Sequence, residues 1–182
     1  MLEEKKRVAI IGLGVIGGSL GMALQAKGNY EVTGIDRDPS AVRLARKIGA
    51  VSLGTTDYLT GVKQADIIVL AIPVGDLAVV AREIVPSIPP WAVVTDVGST
   101  KVEVVAQLEG VFSSRFVGGH PMTGSEVSGE LSSIFLKMLF MCLHLLDEQT
   151  PQLYKRSRRW LLIQVPSPVF YLRWSMTGLW PW

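Results

Sequence analysis

Three glycines, Gly12, Gly14 and Gly17, stand at the spacing G-x-G-x-x-G within residues 7–24, RVAIIGLGVIGGSLGMAL, and an acid, Asp36, follows about twenty residues on. Glycines so spaced allow a tight turn, a close backbone approach to a pyrophosphate, and close packing of helix on strand. The helix that starts near Val15 and Ile16 aims its free N–H groups and positive dipole end at the phosphates. An acid at Asp36 accepts both hydroxyls of an adenosine ribose and repels a 2′-phosphate, so NAD is favoured over NADP. Its neighbour Arg37 works the other way, since an Arg there serves a 2′-phosphate. Two further stretches gather reactive side chains: Asp96-Val97-Gly98-Ser99-Thr100-Lys101 and Gly118-Gly119-His120-Pro121-Met122-Thr123-Gly124-Ser125-Glu126.

The elements that must position these groups follow from hydrophobic patterning. Val8, Ala9, Ile10 and Ile11 have no polar alternation, as expected of a strand buried on both faces of a parallel sheet. Lys27-Gly28-Asn29 closes the first helix, and residues 31–35 form a second strand with Asp36 at its C-terminal end. Residues 39–49 read as a helix with proline at its start and glycine at its end, and residues 57–63 as a helical turn. A strand over 65–72 is stopped by Pro73, a helix covers 75–85, a strand 92–95, a helix 100–108 and a last short strand 115–117. Such alternation predicts an α/β fold, a Rossmann-type doubly wound parallel sheet. Ligands bind beyond the carboxyl ends of such strands, which brings Ile72 and Pro73 into the same crevice as the glycine turn. Ser99 precedes a helix and suits an N-cap, whereas Asp96 reads as a strand-end acid that holds its turn rather than as a base.

Composition narrows the class. The 182 residues suffice for one such domain with a core, and 48% hydrophobic content with mean hydropathy +0.34 suits a globular protein. No uncharged run is long enough to require a membrane span, and Glu3 and Glu4 stand where a signal peptide needs basic residues. Cys142 is the only cysteine, so neither a disulfide framework nor a metal cluster is expected, and a cytoplasmic location fits. The net charge of +2 hides a split, because residues 137–182 carry six basic and two acidic side chains and four of the five tryptophans.

IIGLGVIGGSLGMAL, DVGSTK and GGHPMTGSE, in this order and spacing, resemble the nucleotide-binding domain of the prephenate and arogenate dehydrogenases of tyrosine biosynthesis. The likeness covers residues 8–129. The β-hydroxyacid dehydrogenases and pyrroline-carboxylate reductases share the glycine turn but not HPMTGSE. The resemblance implies NAD-dependent oxidative decarboxylation of prephenate or arogenate, with a hydride leaving the ring carbon that bears the hydroxyl. His120 matches the family's catalytic histidine, the acceptor of the hydroxyl proton, and Ser99 matches a serine that orients that hydroxyl. Ser125 and Glu126 fall where the family closes over its substrate. The family also implies a homodimer, formed by a helical domain that follows and that supplies cationic groups for the substrate's carboxylates.

Residues 137–182 do not look like that helical domain. They lack a helical period and end in WSMTGLWPW. Codons read from their third base turn residues 138–145 into a possible Asn-Ala-Leu-Tyr-Val-Leu-Thr-Pro and residues 173–182 into a possible Val-Glu-His-Asp-Arg-Ala-Val-Ala-Val. Both fit the family. The chain therefore divides into an NAD-binding domain, 1–136, and an irregular, truncated tail, 137–182, expected to be a frame-shifted readout with impaired activity. On that account the basic tail is no nucleic-acid site. The rival expectation is a non-catalytic nucleotide-binding protein whose aromatic tail is a contact surface.

Overall fold

Alternate residues of the first strand serve two different cores. The computed structural model describes residues 5–98 and 101–119, giving only the backbone of 101–103. All of them lie in one compact unit, Met1–Asp147; the second unit, Glu148–Trp182, lies outside the described residues. In β1 (Lys6–Ile11), Ala9 and Ile11 pack into one cluster with Ile68, Leu77, Ile84, Leu108 and Phe112, while Val8 and Ile10 pack into another with Leu20, Leu24, Val32 and Val42. A period of two with both faces apolar yields a sheet covered by helices on either side.

The chain continues through α1 (Val15–Lys27), β2 (Tyr30–Ile35), α2 (Pro39–Lys47), β3 (Leu53–Thr55), α3 (Tyr58–Val62), β4 (Ile67–Leu70), α4 (Val74–Ile84), β5 (Val93–Asp96), α5 (Lys101–Phe112) and β6 (Phe116–Val117). All strand pairs are parallel, in the order β3-β2-β1-β4-β5-β6. Helices α1 and α2 cover one face, and α3, α4 and α5 the other. The order reverses between β1 and β4, so the ends of those strands part and leave the crevice where doubly wound sheets bind ligands.

Local chemistry sets the helix starts. Asp38 caps α2 by accepting the Ser40 N–H at 2.8 Å, with Pro39 as the first helical residue. Asp57 caps α3 through the Leu59 and Thr60 N–H groups at 3.0 and 3.3 Å. Two elements depart from the patterning. Strand β3 escapes it because it has three residues, one of them Gly54, at the sheet edge; a Cβ on Gly54 would press into Val42 and Arg46 of α2. Helix α5 runs past Leu108 to Phe112 because the extra turn buries Phe112, 1% exposed, against Phe116 with ring centroids 6.5 Å apart. Burying such a ring is worth roughly 1.5–3 kcal/mol.

The end of the sheet remote from the crevice is tied by one carboxylate. Asp66 accepts the Arg7 backbone N–H at 2.9 Å, the Arg7 guanidinium at 3.2 Å and the Trp91 indole N–H at 3.2 Å. These residues open or precede β1, β4 and β5, so the tie fixes the stagger of three neighbouring strands.

Candidate functional site

The glycine turn is locked against the end of β4. Gly12 has φ of +95°, a conformation L side chains rarely adopt, and a Cβ there would run into the Ala71 carbonyl and Ile72. Its N–H donates to the Ile35 carbonyl at 2.8 Å, which joins the turn to β2. At Gly17 a Cβ would collide with the Gly12 carbonyl, so α1 sits on the turn as closely as backbone allows. Gly14 differs: a Cβ there meets nothing within 4 Å. The open space beside it leaves room for a ligand to approach the backbone.

Helix α1 begins without side-chain capping at Gly14 and with no acid in its first turn. Its leading N–H groups, at Val15, Ile16 and Gly17, thus keep the partial positive charge that binds anions. Val15 is 88% exposed and Ile16 is 42% exposed, which leaves apolar surface at the mouth of the turn.

Asp36, one residue past β2, does two jobs. Its Oδ2 accepts the Leu13 N–H at 2.7 Å and its Oδ1 the Asp38 N–H at 2.9 Å. A carboxylate has about four acceptor positions, so two remain for ribose hydroxyls. Arg37 is exposed beside it. Ile72 is half-buried against the core and Pro73 is exposed at the start of α4, both directly after β4. Gly12, Gly14, Val15, Ile16, Gly17, Asp36, Arg37, Ile72 and Pro73 therefore gather at the carboxyl ends of β1, β2 and β4. The arrangement fits a dinucleotide: an uncapped helix start and a bare glycine face for the pyrophosphate, and a held carboxylate for the ribose.

Ser99, His120, Ser125 and Glu126 lie outside the described residues, but the segments that lead into two of them are described. Asp96, fully buried, accepts the Gly98 N–H at 2.8 Å and the Gly119 N–H at 3.1 Å. Two contributors carried no motif. The Leu13 N–H pins Asp36, and Tyr58 stands near that carboxylate; burial first, then the charge of Asp36, pushes its hydroxyl above the ordinary phenol range. Among the described residues no group of three His, Cys, Asp or Glu side chains could hold a metal, and no helix is long and apolar enough to cross a membrane. An open polar hollow of about 500 Å³, lined by Lys5, Arg7, Tyr30, Glu31, Ser52 and Gln64, lies at the opposite end of the sheet, where β1 and β2 begin.

The family profile described as prephenate dehydrogenase, nucleotide-binding domain, matches residues 20–140. The chain belongs to the prephenate dehydrogenase family. A prephenate dehydrogenase of Bacillus subtilis is 38% identical over 135 residues, which cover 71% of this chain and 36% of that protein. The crystal structure of a prephenate dehydrogenase from A. aeolicus, in complex with hydroxyphenyl propionate and NAD+, superposes with a TM-score of 0.66 at 26% identity, covering 86% of this chain and 64% of that one. The Synechocystis arogenate dehydrogenase superposes with a TM-score of 0.62 at 30% identity, covering 66% and 42%. The chain thus spans 36% of its Bacillus prephenate dehydrogenase relative, and the share that matches is the nucleotide-binding part of the family.

Proposed function

We propose that this chain is the NAD-binding part of a prephenate dehydrogenase, an enzyme that converts prephenate to 4-hydroxyphenylpyruvate in tyrosine biosynthesis. The observation that carries the cofactor is the Asp36 carboxylate bonded to the glycine turn at the sheet's switch point. That pairing sets a ribose-binding acid and a pyrophosphate-binding turn in fixed relation. NAD is preferred to NADP because a 2′-phosphate beside Asp36 meets like charge. The family match supports the substrate, with arogenate as the alternative that the Synechocystis enzyme represents.

When bound, NAD takes the hydride from the ring carbon that carries the hydroxyl, and carbon dioxide leaves as the ring becomes aromatic. Neutral His120 accepts the hydroxyl proton and returns it to the phenol oxygen, so no net proton is released. Ser99 orients the hydroxyl, and Ser125 and Glu126 close over substrate. The whole protein works in the cytoplasm as a homodimer and has no nucleic-acid partner. Residues 1–136 form its cofactor domain, and residues 137–182 are a frame-shifted readout of the sequence that follows.

Two experiments test this. NADH and NADPH are titrated into the chain by nucleotide fluorescence, and prephenate- and arogenate-dependent NADH formation is assayed. Saturable binding that favours NADH is expected, and no binding removes the cofactor assignment. Resequencing the coding DNA from the codon of Lys137 tests the tail: a corrected frame encoding Glu-His-Asp supports the shift, and an unchanged frame overturns it.

A further inference from the structure

The two βαβ halves of a doubly wound sheet each take one mononucleotide. Asp36 assigns the adenosine to the half built from β1, β2 and β3, so the nicotinamide falls to the half built from β4, β5 and β6. In that half the sheet ladder ends early. Among the described residues, strand β5 pairs with β6 only through Val94 with Phe116 and Thr95 with Val117, and the backbone beyond Val117 has no strand partner. The Asp96 side chain supplies one. It is fully buried at the last position of β5, opposite Leu70 of β4, and each of its oxygens takes one amide, Gly98 on its own loop and Gly119 on the loop after β6. Gly98 leaves little room for adjustment, since a Cβ there would lie 3.0 Å from Asp96 Oδ2 and 3.3 Å from Val74 Cγ2.

A buried carboxylate is costly, and a loop end that needed only filling would be served by an apolar side chain. Two acceptor oxygens on one rigid planar group do something an apolar residue cannot: they fix two separate backbones relative to each other. One peptide bond beyond Gly98 is Ser99, and one beyond Gly119 is His120. We infer that Asp96 is a positioning residue for the proposed reaction, whose carboxylate clasps the loops after β5 and β6 at Gly98 and Gly119, the residues that immediately precede Ser99 and His120 in the chain. Asp96 has this role only if His120 is the proton acceptor proposed above.

The test reads His120 in the full chain and does not depend on turnover. Diethyl pyrocarbonate modifies neutral imidazoles, and mass spectrometry separates His120 from His144, the other histidine. With NAD+ at ten times its Kd, modification of His120 should slow about tenfold in the unaltered chain, while His144 is unaffected. In Asp96→Asn one oxygen is replaced by an NH2 group that cannot accept an amide. NADH affinity should stay within about threefold, yet the slowing at His120 should shrink below about twofold, and Asp96→Ala should abolish it. Full protection of His120 in both variants overturns the clasp. No protection in the unaltered chain, with NAD+ bound, overturns the histidine assignment itself. If neither variant folds, amide exchange in the unaltered chain decides: Gly119 must exchange at least about tenfold slower than an open amide, and free exchange there overturns the proposal.

Discussion

Asp36 Oδ2 accepts the Leu13 N–H at 2.7 Å, so the acid proposed to read the ribose also holds the turn proposed to receive the pyrophosphate. The two functions of the motif are mechanically one, and substitutions on either side should be felt on both.

Asp36→Ala should weaken NADH by about 10- to 100-fold, because charge-assisted hydrogen bonds of roughly 1.5–3 kcal/mol are lost, and NADPH by less. It also strands the Leu13 and Asp38 N–H groups, so thermal stability should fall by about 1–3 kcal/mol. Fluorescence titrations and melts read the two effects separately. Equal weakening of NADH and NADPH would make Arg37 the main reader of the ribose.

Two of the motif glycines, Gly17 and Gly14, should fail differently. Gly17→Ala drives a methyl into the Gly12 carbonyl and should cost about 1–3 kcal/mol of stability together with NADH binding. Gly14→Ala meets nothing in the protein and has an ordinary φ of −67°, so its melting temperature should hold while NADH affinity drops more than about tenfold. Normal NADH binding by the Gly14→Ala variant would place the pyrophosphate elsewhere.

In the intact gene product, read in the corrected frame, His120→Asn should leave NADH binding unchanged and lower kcat by about 10²–10⁴, the usual worth of a positioned general base. Prephenate-dependent NADH formation provides the measurement. Unchanged turnover removes His120 from the mechanism.

Asp66 bears on acid stability. Burial raises its affinity for a proton, but the Arg7 backbone N–H, the Arg7 guanidinium and the Trp91 indole N–H outweigh that and hold its carboxyl below the usual 3.8. A folded-state value below the unfolded one means the stabilisation is complete above about pH 4 and is lost as pH falls further. Melts of Asp66→Asn should therefore run below those of the unaltered chain at pH 7 and converge on them toward pH 2. A constant gap across that range would show that the tie acts through shape rather than charge.

Much of the site was legible because its parts are local in sequence. Uninterrupted apolar runs mark strands buried on both faces, and Gly12, Gly14, Gly17 and Asp36 are read from spacing alone. Strand β3 was not legible, since Leu53–Thr55 is too short for a period and Leu53 is 52% exposed. Asp96 was legible as an acid that holds its own turn, and the Gly98 contact bears that out. Its second partner was not, because Gly119 lies on another strand's loop and no local pattern relates the two.

The sequence by itself determined the order of strands and helices apart from β3, the glycine turn, the acid after β2 and the family motifs, for these depend on neighbours along the chain. Tertiary structure decided the sheet order that opens a crevice between β1 and β4, the bond from Leu13 to Asp36, and the clasp of Asp96 on Gly119. Those relations join residues far apart in the chain. They arise only when both faces of the sheet bury their apolar side chains at once, and that packing sets which strand ends meet.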